Sequence, residues 1–404
     1  MEHSEIKHRL QTKIFVHPST KRFNSYSQSV LKKLADCHTS RIGKHVYACN
    51  NCQHMHHQYH SCSNRHCPNC GGLKREQWLY DRYSELLPTT YFHIVFTLAE
   101  ELRSLAMGNR KVLFSLLFEA ANHTLKKLGQ DPKLLGGTPG IISILHTNGQ
   151  DLTFHPHIHC IVTGGGLDKD GKWVTEKRKG GNFLFPRRAM EKIFKGFFLD
   201  RLNHLKKTGK VQIKDKRSYQ KLLNDVRYKK WNVYAKAPFG GPQMVLEYLG
   251  RYTHKVAIST HRIKEITEEN ITFIYKDYRD SNKQKQMTLS CEEFLRRFEQ
   301  HILPQGFVKI RHSGFMSHRN KNERIKNICQ QLSIATPPPK IKLPTRILAA
   351  ITYGVDITEC SKCRIGKMER IGTYVNVSKE GVCLVNVENF KNRGSPRKIQ
   401  VSAC

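Results

Sequence analysis

The run Phe154–Val162, FHPHIHCIV, leaves the chain few ways to fold. Successive side chains of a strand point to opposite faces, so Phe154, Pro156, Ile158, Cys160 and Val162 form an apolar face and His155, His157 and His159 fall on the other. One face is suited to a core and the other to a metal, since neutral imidazole is a common ligand of divalent first-row ions. Gly164, Gly165 and Gly166 follow and permit close approach of backbone or ligand where the run ends.

A second constraint lies upstream. Cys37, His45, Cys49, Cys52, Cys62, His66, Cys67 and Cys70 crowd into a short polar stretch. Cys49-x2-Cys52 and Cys67-x2-Cys70 have the two-knuckle spacing of a tetrahedral four-cysteine zinc site. The remaining ligands, Cys37, His45, Cys62 and His66, are expected to make a second, interleaved site, with His54, His56, His57 and His60 as rivals. So polar a segment buries little apolar surface, so metal would supply much of its folding free energy.

The 404 residues carry 68 Lys and Arg against 33 Asp and Glu, a formal charge of +35. Such a field points to a polyanion, nucleic acid before a membrane surface, because no basic amphipathic anchor is evident. No apolar run has transmembrane length, and MEHSEIKHRL is not signal-like. Thirteen cysteines grouped with histidines read as metal ligands in a reducing cytoplasm rather than as disulfides. Lys44, Arg65, Lys74 and Arg75 in the zinc module, with Lys309 and Arg311 in FVKIRHSGF, are the candidate DNA contacts.

Between these landmarks the pattern mixes helices and strands. Val30, Leu31 and Leu34 form a helical stripe before Cys37. WLYDRYSELL reads as a helix stopped by Pro88, YFHIVFTL as a buried strand, and residues 99–129 as a helix with Leu113, Leu116, Leu117 and Ala120 on one face. GIISILHT is a strand that Asn148-Gly149 turns antiparallel into the histidine run. Residues 168–235 are basic and irregular, with KRKGG an exposed loop. Ile271–Tyr275 and Gln286–Ser290 form a hairpin, and Ser290 with Glu293 caps a helix that Pro304 ends. The expected fold class is therefore α+β, an antiparallel sheet backed by helices behind a small zinc-binding module. The expected domains are a zinc module over 1–88, a catalytic domain over 89–300, and a basic C-terminal region over 301–404. That last region has a TPPPKIKLP linker, a half zinc knuckle at Cys360-x2-Cys363, and a disordered tail.

From Pro242, VLEYLGRY sets Val245, Tyr248, Leu249 and Tyr252 on one helical face, and by spacing alone the two tyrosines are core residues. HPHIHCIVTGGGL and EYLGRYTHKVAIS, in that order behind a cysteine/histidine module ending NRHCPNC, resemble the rolling-circle insertion-sequence transposases of the two-tyrosine HUH class. The likeness runs from about Cys37 to about His318. It implies a ferredoxin-like palm with His157 and His159 on a central strand, Mg2+ or Mn2+ for catalysis beside structural Zn2+, and Tyr248 and Tyr252 as nucleophiles. It also implies nicking and rejoining of single-stranded DNA at the element's ends and target sites through a 5′-phosphotyrosine link, with no nucleotide cofactor. The third metal ligand is open between His146 across the turn, which is preferred, and His155, with Gln150 and Glu247 as further donors. Tyr234 is the reserve nucleophile. The competing reading is a zinc-module DNA-binding protein without catalysis, a regulator or a decayed transposase. A zinc hydrolase is disfavoured because no H-E-x-x-H motif is present.

Overall fold

The computed structural model describes residues 2–177, 183–213, 215–237, 239, 241, 244–245, 247–248, 250, 257–278, 280–376 and 382–385. The KRKGG loop beyond Lys177, Leu249, Tyr252 and the basic tail lie outside them. The fold is mixed α and β, and its sheets are antiparallel throughout. The chain divides into two compact units. One comprises Trp78–Ala257 and Gln300–Ile341, and the other Met1–Gln77, Ile258–Glu299 and Lys342–Cys404.

In the first unit a six-stranded sheet runs in the order Ile310–Ser313, Thr138–Asn148, Phe154–Leu167, Tyr91–Thr97 and Val233–Ala235, with Trp173–Thr175 pairing off the histidine strand. The expected alternation holds, and it sorts two cores. Phe92, Ile94, Phe96, Ile141, Leu145, Phe154, Ile158, Cys160 and Val162 face a large cluster shared with helices Arg110–Gly129 and Arg187–Lys207. On the opposite face Tyr91, Ile142, Ile144 and Ile161 pack with Val245, Tyr248, Phe315 and Ile328. The histidines sit at the edge of this second core, where the apolar lining gives way to polar side chains.

Residues 168–235 depart from expectation, since they hold two helices, Arg187–Lys207 and Lys216–Tyr228. The signal was present as Met190, Phe194, Phe198 and Leu202 at four-residue spacing, all buried against the sheet. Glu191, Lys192, Lys195, Asp200 and Arg201 between them lower the mean hydropathy without breaking the stripe. The Asn148-Gly149 hairpin forms, but with a longer loop. Gly149 N donates to Thr153 O (2.9 Å) and the left-handed residue is the buried Leu152 (φ 62°), so the tight two-residue turn is replaced. His301 clamps this end of the hairpin, with Nε2 donating to Leu152 O (3.0 Å) and Nδ1 beside Thr147 Oγ1 (3.1 Å). Burial pushes His301 down to about 4, which keeps it neutral in that role.

The second unit departs from the expected boundaries. The hairpin Asn270–Asp277/Lys283–Ser290 and the helix Cys291–Glu299, expected in the catalytic domain, cluster with the N-terminal segment. The cap is as read, Glu293 N donating to Ser290 Oγ (3.2 Å). The reason for the transfer is aromatic and polar complementarity. Phe298 meets Phe15 at 5.6 Å between ring centroids, and Glu299 accepts from Ser27 Oγ (2.7 Å) on the N-terminal helix Ser25–Ala35. A four-stranded sheet in the order Val382–Val385, Met368–Asn376, Lys44–Cys49 and Met55–Tyr59 joins chain segments more than 300 positions apart.

Within the first unit, Glu85 is buried among cations. It lies 2.8 Å from Arg82 Nη1 and 2.5 Å from Lys321 Nζ, and also pairs with Lys340. Burial alone would raise the Glu85 carboxyl, but the hydrogen bonds from Lys321 and Lys340 and the charge of Arg82 hold it below the usual carboxylate range. Glu85→Gln leaves Arg82 and Lys321 buried without a counter-charge and should cost about 3 kcal/mol at neutral pH. A group whose folded pKa is depressed contributes fully above its unfolded pKa and loses that contribution as pH falls through the folded one. The gap between wild type and Glu85→Gln in urea midpoint should therefore close as pH drops below the ordinary carboxylate range. A pH series of unfolding curves checks it.

Candidate metal and nucleophile site

The register of the histidine strand places His157 directly opposite His146 and His159 opposite Ile144 on one side and Val95 on the other. His146, His157 and His159 thus converge, each offering a ring nitrogen within 4.8 Å of the others. His146 and His159 are buried and His157 is partly open. His157 Nδ1 lies 2.6 Å from the His155 carbonyl, so it donates there and leaves Nε2 as the ligating nitrogen. Three imidazoles, one with its tautomer fixed and one flank open, are a donor set that fits a divalent cation.

His155 shares the strand face but is turned to another partner. Arg103 Nη2 donates to its Nδ1 (2.7 Å), and burial together with the Arg103 charge lowers its pKa. The structure therefore groups His146, not His155, with the HUH pair. Glu247 is exposed and is not part of that group.

Tyr248 stands where both readings of its spacing meet. Its ring belongs to the second core, while its hydroxyl reaches the histidines, 3.1 Å from His159 Nδ1 and 2.7 Å from His93 Nε2. His93 is the residue that sequence reasoning passed over. It lies within YFHIVFTL, where a lone histidine in an apolar run reads as packing. Pairing of Tyr91–Thr97 with the histidine strand makes it the diagonal neighbour of His159, Nε2 to Nδ1 2.9 Å, with the rings stacked at 5.2 Å. Burial, then the charges of Lys236 and His157, push His93 down to about 3, so it is a neutral hydrogen-bonding partner. A polar residue at a strand position that points to the same face as His157 and His159 was the available signal. Tyr234, the reserve nucleophile, is half exposed on the next strand opposite Val95, roughly two strand spacings or about 10 Å from His159.

The cysteines group differently from expectation. Cys37, Cys62, Cys67 and Cys70 form one cluster, and Cys49, Cys52, Cys360 and Cys363 the other. Sulfurs of Cys62 and Cys70, of Cys49 and Cys363, and of Cys52 and Cys360 are each 3.7 Å apart. Four thiolates about 2.3 Å from a tetrahedral zinc lie roughly 3.8 Å from one another, so both sets have the spacing of structural zinc. His45 and His66, expected as ligands, belong to neither cluster. His45 instead bonds Thr373 Oγ1 (3.0 Å) and packs edge-on against His60.

Of the candidate DNA contacts, Arg65, Lys74 and Arg75 are exposed, with Arg75 paired to Glu76. Lys44 lies over the Tyr374 ring (5.5 Å) and Lys309 is half buried. Arg311 is otherwise engaged. Its guanidinium lies over Phe118 (4.3 Å) and Phe307 (5.3 Å) and donates to Ser115 Oγ (3.1 Å), so it fastens an edge strand to a helix.

Because the Tyr248 ring packs and its hydroxyl serves the site, the two parts separate by mutation. Tyr248→Phe should cost no more than about 1 kcal/mol of stability, whereas Tyr248→Ala should cost about 3 kcal/mol through the cavity it opens. Paired urea denaturations measure both.

Residues 140–324 match the family model described as "Putative transposase", and residues 6–98 match "Transposase zinc-binding domain". The first segment contains His146, His157, His159 and Tyr248, and the second contains every cysteine from Cys37 to Cys70. Cys360 and Cys363 fall outside both. The chain is 38% identical over 365 residues to "Putative transposase y4qJ" of Sinorhizobium fredii (strain NBRC 101917 / NGR234), spanning 88% of this chain and 91% of that protein. It is 31% identical over 345 residues to "Transposase for insertion sequence element IS801" of Pseudomonas savastanoi pv. phaseolicola, spanning 83% and 81%. No solved structure matches. Among the described residues no helix is long and apolar enough to cross a membrane. With both segments in order and two relatives aligned over most of its length, the chain belongs to the IS91 family of rolling-circle insertion-sequence transposases.

Proposed function

We propose that this transposase nicks and rejoins single-stranded DNA at the ends of its own element and at target sites, in the cytoplasm, with Tyr248 as a nucleophile on a ferredoxin-like HUH palm. The observation that carries the reading is the Tyr248 hydroxyl in hydrogen-bond reach of His159, itself one of three histidines grouped around a metal-sized space. A divalent ion such as Mg2+ or Mn2+ bound by His146, His157 and His159 would supply charge to the scissile phosphate and orient it.

The chain's own residues account for the rest. An ordinary phenol titrates near pH 10, so attack at neutral pH benefits from a partner for its proton. His93 Nε2, 2.7 Å from the hydroxyl, is placed to accept its hydrogen bond and orient it for attack. Attack forms a bond from Tyr248 Oη to phosphorus and breaks the bond to the 3′ oxygen, which leaves as a hydroxyl by taking up the proton that the phenol gives up. The 5′-phosphotyrosine conserves the phosphodiester energy, so a later 3′-hydroxyl can reverse the step without a nucleotide cofactor. Tyr252, outside the described residues, is one helical turn further on by sequence and would take the second strand. The +35 charge suits a polyanionic substrate. Arg65, Lys74 and Lys44 are the proposed backbone contacts of the zinc-bearing unit, and Lys309 of the other.

Incubation with single-stranded oligonucleotides from the element's flanks should yield a covalent adduct on a denaturing gel. Tyr248→Phe with Tyr252→Phe should eliminate it. His157→Ala with His159→Ala should abolish cleavage while most DNA binding remains, because the imidazoles act on the transition state more than on ground-state contact. Adduct formation that survives both pairs of substitutions would overturn the assignment, and the absence of any adduct from the wild type would favour a non-catalytic DNA binder. DNA affinity should also fall steeply with ionic strength, a strongly negative slope of log K against log salt, as counterions are released. A fluorescence-anisotropy salt series measures it.

A further inference from the structure

The matched zinc-binding segment ends at residue 98, yet half of one cysteine cluster comes from the other end of the chain. We propose that Cys49, Cys52, Cys360 and Cys363 hold a second structural zinc that acts as a clasp, completing the N-terminal zinc module only when the C-terminal segment is present.

The two halves of this site have the same local build. Gln53 N donates to Cys49 O (3.1 Å) and Arg364 N donates to Cys360 O (2.8 Å), each closing a turn from a residue to the fourth one after it. Gln53 (φ 59°) and Arg364 (φ 56°) both adopt the left-handed conformation there. Gly71 (φ 106°) occupies the equivalent position after Cys67 in the other cluster, where left-handed backbone comes without strain. Backbone N–H groups also point at the sulfurs. Asn51 N and Cys52 N each lie 3.4 Å from Cys49 Sγ, and Gly366 N lies 3.3 Å from Cys363 Sγ. Asn69 N does the same to Cys67 Sγ at 3.4 Å in the first cluster. Such donors stabilise thiolate, the form that binds zinc.

The sheet brings the knuckles together. Strand Met368–Asn376 pairs antiparallel with Lys44–Cys49, in register Cys49 to Met368, so each knuckle emerges at the same end of the pair. Asn50 N donates to Lys367 O (3.1 Å) and Lys367 N to Asn50 Oδ1 (2.9 Å), which extends the junction up to the ligands. At Gly366 a Cβ would sit 2.4 Å from Cys49 Sγ, so the absence of a side chain is what lets the knuckles close. The pairs at 3.7 Å across the site, Cys49 with Cys363 and Cys52 with Cys360, match a tetrahedral edge. A thiol cluster that closes so long a loop removes more chain entropy than one that closes a short loop, by an amount that grows with the logarithm of its length, so residues 342–376 belong to the zinc module by metal ligation as well as by strand pairing.

Native mass spectrometry of the full chain, with zinc quantified by atomic emission, tests this without reference to DNA cleavage. Wild type should carry two zinc ions per monomer, and Cys360→Ser with Cys363→Ser should carry one. Cys62→Ser with Cys70→Ser should also lose one, and Cys329→Ser, a buried cysteine outside both clusters, none. Trypsin should cut Cys360→Ser/Cys363→Ser between residues 342 and 376 at least tenfold faster than wild type. Cys363→His, which keeps a zinc ligand, should restore the second ion and the protection. One zinc in wild type, two in the Cys360/Cys363 variant, or a second zinc found only in dimers would overturn the proposal.

Discussion

The pairing of Thr138–Asn148 with Phe154–Leu167 is the interaction on which the candidate site depends. It is a hairpin whose side chains answer to two environments at once. One face is saturated with Phe, Ile and Val against two long helices, so a slip of one residue would drive three imidazoles into that core and expose the apolar set. Register is thereby held by packing on the face that does no chemistry. The His301 clamp at the loop adds a local restraint, using a neutral ring to tie Leu152 and Thr147.

That restraint has a consequence for reactivity. His146, His157 and His159 need no loop to bring them together, and rigid strands hold ligands more closely than loops do. His93 arrives from the neighbouring strand, and its Nε2 lies 2.9 Å from His159 Nδ1 and 2.7 Å from the Tyr248 hydroxyl, so the three-histidine group and the phenol meet at one atom. Tyr248 is held at its other end by the apolar neighbours Val245 and Phe239. Packing positions the ring, and the histidines receive the hydroxyl.

The zinc-bearing unit follows a different principle. Its exposed strand Met55–Tyr59 and its polar loops bury little. Cysteine clusters at 3.7 Å spacing fasten those parts, and the C-terminal strand supplies half of one of them, while Leu10, Ile14, Phe15, Leu31, Leu34, Phe273, Phe294 and Phe298 are buried elsewhere in the same unit. The helix Cys291–Glu299 joins the same unit through Phe15 and Ser27, so its composition comes from three separated stretches of chain.

Local periodicity carried the alternating histidine strand, the strand Tyr91–Thr97, most of the helix over 99–129, which breaks at Asn109 into Arg103–Gly108 and Arg110–Gly129, the start of the helix after Ser290, which ends at Glu299 before Pro304 is reached, and the antiparallel hairpin, because each is a matter of neighbours within a few residues. The same local reading paired Cys49-x2-Cys52 with Cys67-x2-Cys70, since sequence proximity was its guide, and it admitted His45 and His66 as ligands. It passed over His93 because one histidine in an apolar run has no partner in the sequence, and it left His146 and His155 as rivals because both neighbour the pair. Strand register sets them apart: His146 lies across from His157, whereas His155 is drawn to Arg103. Residue type and spacing thus determined that this chain binds metal and meets a polyanion. Which cysteines share a zinc, and which histidine completes the triad, depended on backbone pairings between distant strands, and no local pattern encodes those.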